Sequence, residues 1–93
     1  MINKNILNIR RKLDKLDNDF LKLIKKRTIL VDQVLINKNF KKDIIDRNRI
    51  EKILRLIKKK SIKKKIDHKV TNKIWKSMIN AYIDYEFRNF NKK

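Results

Sequence analysis

Cations that interrupt an apolar helical stripe are the residues of this chain best placed to do chemistry. Read at three- and four-residue spacing, the stripe runs Ile6, Arg10, Leu13, Asp17, Phe20, Ile24, Arg27, Val31, Val34, Lys38. Such a stripe ordinarily stays apolar and faces a core. A cation in it is costly to desolvate unless an anion pairs with it. Arg10, Arg27 and Lys38 therefore imply an internal site for an anion. Near the other end of the chain, Glu86 extends the stripe Val70, Ile74, Met78, Ile79, Tyr82, Ile83 by one turn, again a charge where a hydrophobe was due. The competing reading is a coiled-coil seam in which Arg10 and Arg27 pair with Asp14 or Asp17 and set register.

Distance separates these cations into two groups. A helix rises about 1.5 Å per residue, so Arg27 and Lys38 stand roughly 16 Å apart, within the joint reach of two long side chains over a floor of Val31 and Val34. Arg10 lies about 25 Å from Arg27, too far to share a small ligand within one chain. If two first helices cross antiparallel near Phe20, Arg10 of the partner subunit lands roughly opposite residue 30, between Arg27 and Lys38. Two equivalent sites result, each borrowing an arginine. Convergent cations suit a ligand with at least two carboxylates, because guanidinium binds carboxylate bidentately.

The elements that must position these residues are helices. The chain has 93 residues and no Gly, Pro or Cys, which predicts one small domain over 1–93 made of long helices joined by Asn, Asp and Lys segments. Strand signals are weak throughout. The lack of Cys excludes disulfides, thiolate metal sites and Cys nucleophiles, and fits a reducing compartment. Without a signal-like or membrane-length apolar run, the chain reads as soluble and cytoplasmic, with no membrane partner. Asp14 and Asp17 are spaced like a metal pair, but no His or Cys joins them, so salt bridging is expected and no metal site. His68 reads as a surface residue, and Trp75 with Met78 and Ile79 as core packing.

Charge is the other extreme of the composition: 28 Lys and Arg face 10 Asp and Glu, a formal net +18. That balance makes nucleic acid or an anionic surface a candidate partner. The alternative is compositional drift, since Lys, Ile and Asn dominate and share AT-rich codons.

Periodicity predicts a first helix from about Asn5 to Asn37, too long for an ordinary globular helix and so a sign of an oligomer. A polar break follows. Asp43 is expected to N-cap a second helix, with Asp46 near its positive end. That helix carries Ile50, Ile53, Leu54 and Ile57 and is expected to fade in the run from Lys58 to Lys65, read as a solvated loop. Asp67 is the expected N-cap of the third helix, and the tail after Phe87 should fray.

With its elements in place, the chain resembles the all-α (AroQ-class) chorismate mutases over nearly its whole length. The resemblance is carried by Ile9-Arg10-Arg11-Lys12-Leu13-Asp14-Lys15-Leu16-Asp17, Leu23-Ile24-Lys25-Lys26-Arg27, Val34 with Lys38, Ile45-Asp46-Arg47-Asn48-Arg49, and Ile74-Trp75 through Met78-Ile79 to Glu86. It implies an all-α fold of three helices per chain in an intertwined homodimer with antiparallel first helices. It also implies the [3,3] rearrangement of chorismate to prephenate in aromatic amino-acid biosynthesis, without cofactor or covalent intermediate. By the same resemblance, Arg27 and Arg10 of the partner subunit clamp carboxylates, with Arg49 nearby. Lys38 donates to the ether oxygen and a carboxylate, Glu86 sits across that oxygen, and Asp46 shapes the site near the ring hydroxyl. The catalytic group is Lys38, Glu86 and Arg27.

Two positions depart from the family pattern: Ile50 stands where a Glu usually accepts from the substrate hydroxyl, and Tyr82 where a Ser is common. A Glu at position 86 must carry a proton to donate, so activity is expected to fall as pH rises and Glu86→Gln to flatten the profile. A pyruvate lyase of the same fold acting on isochorismate shares the arginine–lysine cage. The third helix's length and the Asp46-to-Arg49 motif favour the mutase. A basic helical nucleic-acid-binding protein is the alternative outside the fold; it accounts for the lysine triplets but not for Arg10, Arg27 and Glu86 in apolar stripes.

Overall fold

The computed structural model describes residues 3–91, and among them it is entirely helical, without strands. Three α-helices follow in order: α1, Lys4–Ile36; α2, Arg47–Lys63; and α3, His68–Asn89, with a short 3-10 turn at Lys41–Asp43. The chain divides after Gln33 into two compact units.

The first unit is the body of α1. Asn3 caps it, its Oδ1 accepting from the Ile6 N–H at 2.9 Å. No described residue up to Gln33 is buried. Large apolar side chains stand open along the helix, with Phe20 57%, Leu21 64% and Leu23 60% exposed. At 33 residues, α1 is about 50 Å long, and a helix of that length in water draws most of its stability from packing an apolar face.

The second unit begins with the last turn of α1, where Leu35 is buried. The chain leaves the helix through bonds from the Asn37 and Lys38 N–H groups to the carbonyls of Val34 and Leu35. It then forms the 3-10 turn and buries Ile44 to 3% exposure. Here the structure corrects the expected cap. The Asp43 carboxylate turns back to accept from the Phe40 N–H at 3.2 Å, so it is committed to the turn. Asp46 caps α2 instead, accepting from the Arg49 N–H at 3.0 Å.

The expected end of α2 is also corrected, since the helix runs through the first lysine triplet to Lys63. Lysine is a good helix former, and the packed face continues past the lysines. On that face Ser61 is 4% exposed. Its Oγ donates to the Ile57 carbonyl at 2.6 Å and meets Thr71 Oγ1 at 2.8 Å. This bond ties α2 to α3 across their short connection, as expected for antiparallel neighbours.

The connection itself is a Schellman-type cap. The Ile66 N–H bonds to the Ser61 carbonyl and the Lys65 N–H to that of Ile62, with Lys65 in the left-handed region at φ 58°. Glycine is the usual residue there, and this chain has none. Asp67 caps α3 as expected, its carboxylate accepting from the Lys69 N–H at 2.9 Å. The third helix continues past Phe87 to Asn89, further than the polar tail suggests.

Candidate active site

Lys38 and Glu86, 48 positions apart, meet in the second unit. Lys38 follows the end of α1, where the turn frees its side chain from helical direction. Glu86 lies near the end of α3, one turn beyond Tyr82 on the same face. The Lys38 Nζ donates to Glu86 Oε1 at 3.1 Å and to the Ile44 carbonyl at 3.4 Å. The Glu86 side chain is 9% exposed and that of Lys38 20%. An ion pair this withdrawn from water is strongly felt, because removing either partner leaves a desolvated charge. The cluster therefore joins a cation, a buried carboxyl group and a backbone carbonyl at the junction of the α1 exit and the end of α3.

The other expected site residues are placed as follows. Asp46 is exposed and its carboxylate is engaged in the α2 cap. Arg49 takes that cap through its backbone N–H, and its side chain is exposed. Tyr82 is half-buried, its ring edge-on to Tyr85 with centroids 6.2 Å apart at 83°. Ile50 lies half-buried in the first turn of α2. Arg10 and Arg27 belong to the first unit, where Arg10 is exposed and Arg27 half-buried.

Sequence reasoning missed the Ile44 carbonyl, since a main-chain acceptor leaves no trace in residue type. It also missed the Ser61–Thr71 bond, although Ser61 falls one turn after Ile57 on the apolar face of α2 and so carried a signal. Among the described residues, no group of three or more His, Cys, Asp or Glu could hold a metal ion. Nor is any helix among them long and apolar enough to cross a membrane.

Three helices, with a part-buried Lys38–Glu86 pair drawn from the α1 exit and from α3, define an all-α protein. The profile of chorismate mutase type II matches residues 9–87, nearly the whole chain and all the site residues named above. The chain belongs to the chorismate mutase type II family, and its activity is that of an isomerase acting on chorismate. No curated protein and no solved structure is significantly similar to it.

Proposed function

We propose that two copies of this chain form an antiparallel homodimer in which each site rearranges chorismate to prephenate, and that the residues at work are those read from the sequence. The Lys38–Glu86 pair is the observation that carries this reading. The reaction is unimolecular, so catalysis comes from holding the reactive conformer and stabilising charge as the ether C–O bond breaks. A part-buried ammonium is suited to the developing charge on the ether oxygen. Glu86 flanks the same point and becomes a second donor when it carries a proton.

Arg27 of the same chain and Arg10 of the partner subunit clamp the carboxylates. Arg49 adds a third guanidinium from the start of α2, Asp46 orders that helix end near the ring hydroxyl, and Tyr82 offers its hydroxyl where the family often has Ser. No cofactor takes part. The dimer reading is supported by α1, whose apolar residues are open over many turns; contiguous apolar surface of this kind is covered by a partner in stable proteins. Each chain serves as one domain, placed in the cytoplasm and in aromatic amino-acid biosynthesis.

The test is to add chorismate, follow its ultraviolet loss and identify the product. Prephenate is expected. Pyruvate from isochorismate would make the chain a lyase, and no turnover of either compound would overturn the reading. Mixing Arg10→Ala with Lys38→Ala chains then probes the shared site. Random pairing makes about half the dimers mixed, each with one intact site, so activity should return to roughly a quarter of wild type. No recovery means that Arg10 does not act across the interface.

A further inference from the structure

The positive charge of this chain is concentrated away from the Lys38–Glu86 pair. From Arg47 to Lys76 the sequence holds 13 Lys and Arg against the two acids Glu51 and Asp67, whereas Lys4–Ile36 holds nine against four. Drift in composition does not by itself place the excess in one hairpin. The structure gathers part of it on one flank. A groove of about 520 Å³ between α2 and α3 is lined by Arg55 and Lys58 on one wall and Lys69 and Lys73 on the other, over Leu54. A second groove along α2 shares Arg55 and Lys58 and adds Lys52 and Lys59. No carboxylate lines either groove.

We propose that this double-walled cationic band binds the phosphodiester backbone of a nucleic acid, independently of base sequence. The spacing suits a regular polyanion. Lys52, Arg55 and Lys58 recur every three residues, about 4.5 Å along α2, and Lys69 and Lys73 are about 6 Å apart on α3. Phosphates along one strand of a duplex recur every 3.4 Å or so of axis, and their neutralisation releases counterions. An acidic peptide would need apolar anchors to offset its ordering, and Leu54 alone lies under the double-walled groove. The six cations are Lys and Arg, and the one ring at the groove, His68, offers a single small face rather than a row of stacking platforms, so sequence is not read.

On α3 the band stands well away from the proposed active site, while on α2 its nearest member, Lys52, is one turn from Arg49 and is left unchanged in the variants below. Lys73 lies roughly 20 Å along α3 from Glu86, and Lys69 roughly 25 Å. On α3, at about 100° per residue, Asn72 in the groove faces roughly 160° away from the open apolar residues Val70 and Ile74, while Lys73 stands about 60° from Val70 at the groove's edge.

The experiment measures binding of two unrelated fluorescein-labelled 20-nucleotide single strands by anisotropy across a salt series. The full chain is compared with the variant Arg55→Gln/Lys58→Gln/Lys69→Gln/Lys73→Gln. A second variant with equal charge loss on α1, Lys15→Gln/Lys22→Gln/Lys25→Gln/Lys26→Gln, is the control. The band variant should bind at least about tenfold more weakly, with the slope of log K against log salt shallower by roughly 3, from about 0.7 per lost contact. The α1 variant should keep most of both. Equal losses in the two variants would mean diffuse charge and overturn the proposal. So would no binding by the wild type, a more than threefold preference between the strands, or equal binding of a labelled poly-glutamate peptide of matched charge. Circular dichroism and chorismate turnover establish that each variant is folded. If the fourfold variant is not, Lys69→Gln/Lys73→Gln should lose about half the slope change, and an unchanged slope there overturns the proposal.

Discussion

The two units solve opposite problems with the same residue types. In the first, no described residue is buried, and Phe20, Leu21 and Leu23 are each more than half exposed. In the second, the buried positions include Leu35 and Ile44 but also Ser61 and Glu86, and both polar residues have partners at 2.8–3.1 Å. The first unit thus has apolar surface without cover, and the second polar groups with their bonds complete. An uncovered apolar helix is marginal by itself, while a satisfied buried pair fixes one arrangement of the elements that supply it. Under the proposed reading the contrast assigns association to α1 and chemistry to the α1 exit and the end of α3.

The largest effect that would break this contrast is expected at Phe20. Under the proposed dimer, Phe20 sits at the crossing and is buried once from each copy. Burying a phenylalanine contributes about 1.5–3 kcal/mol, and an isologous interface counts it twice. Phe20→Lys should therefore weaken dimerisation by about 10²–10⁴-fold, read by sedimentation across a concentration series. Helix content should fall with it while the α2–α3 hairpin remains. A variant that sediments like the wild type at every concentration would show that α1 is not the associating surface.

At the other pole stands Lys38. Removing one pre-organised donor from a developing charge typically costs about 10²–10³ in kcat, and Lys38→Ala should lose that much with dimerisation intact. Its burial partner makes the variant a stability test as well, since Glu86 would be left desolvated without its cation. The double variant Lys38→Met/Glu86→Gln, which keeps the stem and removes both charges, separates the two effects: lost kcat with near-normal unfolding is expected.

Glu86 yields a smaller but more diagnostic effect. In the proposed mechanism it flanks the ether oxygen as a hydrogen-bonding group. Glu86→Gln keeps its size and supplies an N–H donor, so kcat should stay within about tenfold of wild type, whereas Glu86→Leu, which makes no hydrogen bond, should lose about a further tenfold or more. Equal rates in the Gln and Leu variants would remove Glu86 from the reaction.

The sequence foretold unequal parts of this arrangement. Long helices and the Asp67 cap were legible because each rests on periodicity or on a capping residue. The direct bond of Lys38 to Glu86 was not, since the resemblance set the two on opposite sides of a ligand atom. The starting point of α2 was not. Asp43 and Asp46 are equally good caps by residue type, and the choice fell to which carboxylate the preceding turn consumes, a matter of backbone path. The lysine run was misread for a related reason. Charge alone suggested a loop, whereas Ile57 and Ser61 continue the packed stripe and hold the helix through Lys63. Ser61 itself shows that a stripe position can be polar and still belong to the core when its hydroxyl has a partner on the facing helix.

The smallest effect tests whether the second unit is stable on its own terms. Lys65 occupies the left-handed region at φ 58°, which costs an L-residue about 1–2 kcal/mol, whereas glycine pays only about 0.5–1 kcal/mol in unfolded-chain entropy. Lys65→Gly should therefore stabilise by about 0.5–1 kcal/mol, raising Tm by roughly 3–6 °C. Lys64 is the matched control: its φ of −87° is ordinary, so Lys64→Gly gains nothing from relief of strain and should lower Tm. Because a dimer's Tm depends on concentration, the comparison is made at one fixed concentration and repeated in the Phe20→Lys background. An equal gain in both backgrounds means that the hairpin's stability is its own. A gain confined to the dimer would tie the turn to the interface and erase the division between the two units.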